Sequence, residues 1–145
     1  MSDDVVVDAS LAIKWVLEEP YSAEAGAVLN GWAEAGNTLL APALFVYEVA
    51  NVLTKRIQRQ QLTLAQAKER LRFFLESGPL LRQIPDVHTR ALELADHFRL
   101  PTSYDAHYLA LAELQSCDFW TDDERLFNSV KRELKWVHCL DGRQR

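Results

Sequence analysis

The chain has 145 residues, 48% of them hydrophobic, which is the size of one domain and enough to build one core. Its formal charge of −5 argues against a protein that grips nucleic acid through bulk positive charge, but leaves room for a nuclease whose acids hold cations. No run approaches the roughly 20 apolar residues of a membrane span, Met1-Ser2-Asp3-Asp4 lacks the positive region of a signal peptide, and Cys117 and Cys139 lack C-x-x-C spacing. A cytosolic protein with reduced, packed cysteines is expected.

Val5-Val6-Val7 reads as a buried strand of a parallel sheet, followed by a helix over Leu11 to Leu17 that Pro20 ends. Ala23 to Ala35 has helical spacing with Gly36 as its cap, and Thr38 to Ala41 is a second strand. A longer helix follows Pro42 to about Gln58. Thr63 and Gln66 match a capping box, which predicts a helix over Leu64 to Glu76, stopped by Ser77-Gly78-Pro79. Leu80 to Ile84 reads as a third strand, and Asp86 as the N-cap of a helix that carries Ala91, Leu94 and Phe98 and closes before Pro101. Ser103 or Asp105 begins a helix through Leu114. Then come a strand at Cys117 to Thr121, a helix from about Asp123 to Glu133 and a last strand at Trp136 to Leu140. This alternation predicts an α/β fold, a single domain over 1–145 with a central, mostly parallel sheet flanked by helices.

Four acids sit awkwardly on this outline. Asp8 directly follows the Val5–Val7 run, Glu48 lies among Leu44, Val49 and Val52, Asp105 opens an apolar helix, and Asp123 follows Phe119-Trp120-Thr121. An unpaired anion beside a core costs several kcal/mol, so such groups are paired, neutralised or holding a cation. Oxygen-only ligation points to Mg²⁺ or Mn²⁺. Asp8 and Asp123 lie beyond the carboxyl ends of strands, where functional groups gather in open α/β sheets.

Each acid also has an ordinary reading. Asp105 fits an N-cap, and Glu48 fits an exposed helix side or a pair with Lys55. Asn51, one turn after Glu48, is placed to orient it, and Ser10 and Thr121 are placed to donate hydroxyl hydrogen bonds. At Asp122-Asp123 either acid can reach inward; Asp123 is preferred and Asp122 is assigned as a helix cap. The basic groups, Lys55-Arg56 with Arg59, Lys68 with Arg70 and Arg72, Lys131-Arg132 with Lys135, and Arg143 with Arg145, read as solvated faces. The four histidines show no ligand-pair spacing, and Trp15, Trp32, Tyr47 and Tyr108 read as core or as a contact surface.

The segments Val5-Val6-Val7-Asp8-Ala9-Ser10, Tyr47-Glu48-Val49-Ala50-Asn51, Tyr104-Asp105-Ala106-His107-Tyr108 and Thr121-Asp122-Asp123-Glu124 together resemble the four signature segments of PIN-domain ribonucleases. Size and order are most similar to the VapC toxins of toxin–antitoxin pairs. The resemblance implies an acidic metal site of Asp8, Glu48, Asp105 and Asp123 with Ser10, Asn51 and Thr121 as supports. It also implies dependence on Mg²⁺ or Mn²⁺, an RNA substrate, a homodimer and an inhibitory antitoxin. The threonine-x-aspartate pattern selects Asp123, and Asp122 departs from the small or neutral residue usual at its position.

Two rivals stand beside this reading. An aspartyl-phosphate enzyme or receiver domain lacks its pattern, since Ser10 stands where a phosphatase needs a second aspartate. A noncatalytic binding module would use the same acids for folding or for a basic partner.

Overall fold

A computed structural model describes residues 3–140, so Arg143 and Arg145 lie outside the described residues. Among the described residues five parallel strands, β1 (Asp4–Val7), β2 (Thr38–Ala41), β3 (Leu80–Leu81), β4 (Asp118–Thr121) and β5 (Val137–Cys139), form one sheet in the order β3-β2-β1-β4-β5. The chain therefore winds outward through β2 and β3, then crosses back to lay β4 on the other side of β1. That reversal opens a crevice beyond the carboxyl ends of β1 and β4, the switch point where α/β sheets place their ligands.

Among the described residues seven α-helices connect the strands: α1 (Ala9–Ala12), α2 (Ser22–Ala35), α3 (Leu44–Gln58), α4 (Leu64–Ser77), α5 (Val87–Phe98), α6 (Tyr104–Leu114) and α7 (Glu124–Val130). Consecutive strand residues point to opposite faces. Phe119 stacks on Tyr108 of α6 with ring centroids 5.9 Å apart, whereas Trp120 meets Trp32 of α2 at 5.7 Å, so helices cover both faces of β4. The unbroken Val5-Val6-Val7 run follows from that double cover, because none of these three residues faces water. The alternation of strand and helix and the parallel sheet agree with the sequence reading.

Local chemistry explains most boundaries. Thr63 and Gln66 form the reciprocal capping box that starts α4, and Gly36 adopts a left-handed φ of 76° at the end of α2. A Cβ on Gly78 would lie 2.4 Å from the Phe74 carbonyl oxygen, so the close approach that ends α4 needs glycine. Cys117 and Cys139 are buried and not joined in a disulfide, and burial pushes the Cys117 thiol up to about 11, which leaves it a packed, unreactive group.

Three expectations need correction. The first helix begins at Ala9 because Asp8 caps it, and after Ala12 it tightens into a 3-10 turn over Ile13–Trp15. Strand β3 is only Leu80–Leu81, both exposed: Arg82 still donates its N–H to Ala41, but the chain then leaves the sheet ahead of Pro85. Asp86 occupies the N-cap position of α5 without a side-chain capping bond.

Candidate active site at the switch point

Asp8 leaves β1 at its carboxyl end and is only 4% exposed. Its Oδ1 accepts the Ser10 hydroxyl at 2.7 Å and the Leu11 N–H at 3.1 Å, and its Oδ2 accepts the Thr121 hydroxyl at 2.5 Å. Both hydroxyl protons are thus committed to Asp8. The 3.3 Å approach of the Ser10 and Thr121 oxygens is therefore a packed contact, and each oxygen instead accepts a loop amide: Asp122 N–H to Ser10 at 3.0 Å and Asp123 N–H to Thr121 at 2.9 Å. Through those two hydroxyls the carboxyl end of β1 fixes the backbone that follows β4.

Burial raises the Asp8 carboxyl to about 7 despite these donors, and the Asp105 charge adds to the rise. Asp105, in the first turn of α6, is raised by its own burial and by Asp123. Glu48, just past the first turn of α3, is raised by burial and by Asp105, against the lowering effect of the Tyr108 hydroxyl that donates to it. Asp105 is the common neighbour: it acts on Asp8 and Glu48 and is acted on by Asp123. Four acids separated by up to 115 positions in the sequence therefore share one electrostatic neighbourhood.

Their carboxylates differ in how they are held. Asp123 caps α7 by accepting the Leu126 N–H at 3.1 Å, so the capping role expected of Asp122 belongs to Asp123. Asp122 turns instead to Lys14, whose ammonium lies 3.2 Å from it and 3.2 Å from Glu19. Among the described residues no three His, Cys, Asp or Glu side chains form a ready-made metal-binding group. Ionised carboxylates repel one another, which opposes closer approach. The donor set nevertheless suits Mg²⁺ or Mn²⁺ in kind, being hard oxygen throughout, and all three raised acids are groups that a cation would help to ionise.

Tyr108 is the residue that spacing alone did not bring out. It is fully buried, stacks on Phe119, and hydrogen-bonds Glu48 across the interval between α6 and α3. Glu48 thus takes its donor from Tyr108 rather than from Asn51, which is exposed. The signal was its place three residues after Asp105, on the helix face that carries an acid of the cluster. Tyr108→Phe removes one hydroxyl and little volume, and should cost about 1 kcal/mol of stability in urea titration while leaving Glu48 free to rotate. If the acids form a metal centre, the same change should weaken cation affinity by about 10–100-fold in a calorimetric titration. An unchanged affinity would show that Tyr108 serves packing alone.

The comparisons with known proteins agree with this architecture. The PIN domain family model matches residues 5–133. Among solved structures, PAE2754 from Pyrobaculum aerophilum is 25% identical with a TM-score of 0.65, covering 89% of this chain and 87% of that one. VapBC2 from Rickettsia felis, bound to a DNA fragment from its promoter, aligns with a TM-score of 0.72 at 13% identity over 95% of this chain and 99% of that chain. VapC20 of Mycobacterium tuberculosis, a sarcin–ricin loop cleaving toxin, aligns with a TM-score of 0.61 at 16% identity over 81% and 86% of the two chains. No curated protein matches the sequence significantly. With the family model spanning β1 through α7, the chain belongs to the PIN-domain family.

Proposed function

We propose that this protein is a metal-dependent endoribonuclease, the toxin of a VapBC-type toxin–antitoxin pair, acting as a homodimer held in check by its antitoxin. The observation that carries the reading is the electrostatic convergence of Asp8, Glu48 and Asp123 on Asp105 at the switch point of the sheet. Its structural likeness to VapC20, and to toxin–antitoxin complexes from Rickettsia felis and Klebsiella pneumoniae, supports the choice of substrate and partner classes.

In this reading Asp8, Glu48, Asp105 and Asp123 hold Mg²⁺ or Mn²⁺, with Ser10 and Thr121 as supports through Asp8; Asn51, named as a support from the sequence, is replaced in that role at Glu48 by Tyr108. A bound divalent ion supplies activation of water and stabilises charge on the leaving oxygen of a phosphodiester. The chain's own contribution is positioning. Three donors hold Asp8, and the Ser10 and Thr121 hydroxyls clamp the 121–123 loop so that Asp123 keeps its place. Net negative charge does not prevent RNA binding once cations occupy the acids, because the local field then changes sign. Of the basic groups, Arg56 is paired to Glu19 and Arg70 is bonded to the Val16 carbonyl, so these two are committed within the fold.

The test is cleavage of pooled cellular RNA with and without Mg²⁺, mapping new ends. Wild type should cut at discrete sites only with the cation. Asp105→Asn should lose about a hundredfold in rate, roughly 3 kcal/mol of transition-state stabilisation, with folding retained. RNA left intact, and a melting temperature indifferent to Mg²⁺, would instead describe a noncatalytic PIN-like binding module.

A further inference from the structure

A second recess of about 240 Å³ opens between the first turns of α3, α5 and α6. Tyr47, 73% exposed, precedes Glu48 on α3, and Tyr104, 59% exposed, precedes Asp105 on α6, so two accessible phenol rings border the recess next to residues of the acidic cluster. Its polar edge is Gln83, His88 and His107. These three form one directed chain. The Ser103 carbonyl accepts only, so the proton of His107 is on Nδ1, 2.6 Å away. With the rings neutral, His107 Nε2 then accepts from His88 Nδ1 at 2.9 Å, and His88 Nε2 accepts from the Gln83 amide nitrogen at 3.3 Å. The chain settles which way the Gln83 amide points. It leaves one N–H and the carbonyl oxygen of Gln83 without a protein partner among the described residues, at the edge of a recess between tyrosines.

We infer that this recess is a nucleobase subsite: an unpaired base of the RNA stacks on Tyr104 or Tyr47, and the oriented Gln83 amide reads its edge through one donor and one acceptor. The inference rests on the nuclease reading and adds the source of base preference. Aromatic stacking with hydrogen bonding to an exposed base edge is the usual means of reading single-stranded RNA. An amide that offers both a donor and an acceptor pairs bidentately with a base edge that does the same. The recess falls below the roughly 300 Å³ of drug-sized sites, which suits one heterocycle. Two of its lining residues, Tyr47 and Tyr104, directly precede Glu48 and Asp105 in the chain, so a base bound here sets which phosphate reaches the acids.

The experiment measures binding of fluorescein-labelled ribotetranucleotides, the A, C, G and U homopolymers separately, to an Asp105→Asn background in Mg²⁺, where cleavage does not compete. Tyr104→Ala in that background should weaken all four by about 5–150-fold, the loss of one base stack. Gln83→Glu replaces a donor–acceptor pair with acceptors only, and should move preference toward guanosine, whose Watson–Crick edge offers adjacent donors. Unchanged affinities and unchanged base order in both variants would overturn the subsite. So would variants that bind RNA as the parent does but no longer self-associate in sedimentation, since the recess would then be a protein contact. Wild-type protein that cleaves RNA with a base preference untouched by Gln83→Glu sinks the subsite alone. Tetranucleotide binding that follows the expected order, in a protein that never cleaves RNA, supports the subsite and sinks the nuclease reading.

Discussion

Replacing Asp8 with asparagine should make the metal-free protein more stable at pH 8 while abolishing RNA cleavage. The Asp8 carboxyl rises from 3.8 to about 7 because burial outweighs its three donors. Between those two values the unfolded chain has lost this proton and the native protein keeps it, so the native state binds more protons and stability falls as pH rises through the interval. Below 3.8 the group costs nothing, and above about 7 the full cost is present. At 1.36 kcal/mol per pH unit the loss from this residue alone is about 4 kcal/mol. The asparagine side chain would carry no titrating charge. Its oxygen still accepts from Ser10 and Leu11, and its amide can donate to the Thr121 oxygen, so the volume and most of the hydrogen bonding survive. Urea titrations from pH 5 to pH 8 should show a falling stability for wild type and a flatter curve for Asp8→Asn. Parallel curves would show that Asp8 is ionised and well compensated without a cation. Added Mg²⁺ should restore wild type at pH 8, by about 2.7 kcal/mol at a hundred times its dissociation constant, and should do little for the variant.

This opposition between stability and activity is what a preorganised anionic site entails. The protein holds Asp8 where ionisation is unfavourable, and the cation reverses the sign of that arrangement. Asp105 shows the same logic at the opening turn of α6, where burial and Asp123 both raise it. The first-turn amides there favour the charged form, but they do not outweigh those two effects.

The parts of this structure that sequence exposed are those set by period and punctuation. Val5-Val6-Val7 reads as a doubly covered strand, the Thr63/Gln66 box starts a helix, and Gly36 ends one, because each depends on residues within a few positions. The acids were legible for a related reason: a carboxylate at a strand end or inside an apolar helix conflicts with its neighbours in the chain. What escaped depends on contacts that spacing does not encode. The choice between Asp122 and Asp123 as cap turns on Lys14, more than a hundred residues earlier, which draws Asp122 away. Tyr108 looked like an ordinary core aromatic until α3 brought Glu48 to its hydroxyl. His88 and His107 are 19 positions apart, so no ligand-pair spacing reveals them, yet α5 packs on α6 and puts their ring nitrogens 2.9 Å apart. Leu80 to Ile84 had the composition of a longer strand, but an edge position with a single neighbour gives the ladder little to hold once Pro85 approaches.

Lys14→Met should destabilise the protein by about 3 kcal/mol, and the reason bears on the site as much as on the fold. Lys14 is 8% exposed and lies between Glu19 and Asp122, which are themselves mostly buried. Removing its ammonium leaves Glu19 with Arg56, but takes from Asp122 the cation that draws it away from Asp123. An added anion next to the cluster then raises repulsion among acids that already raise one another. Two effects separate in a double-mutant cycle. If the loss comes mainly from the broken Lys14–Asp122 ion pair, then Asp122→Asn in the Lys14→Met background should recover most of the stability, with a coupling of at least about 1 kcal/mol. If Lys14 acts through Glu19 and the 3-10 turn alone, the second substitution recovers nothing. The cycle also reads the acids directly: Lys14→Met should shift the pH dependence of Mg²⁺ affinity upward, because a stronger negative field makes each carboxyl harder to ionise, and Asp122→Asn should return it. An unshifted profile, in a variant that still folds, would place Lys14 outside the electrostatics of the site.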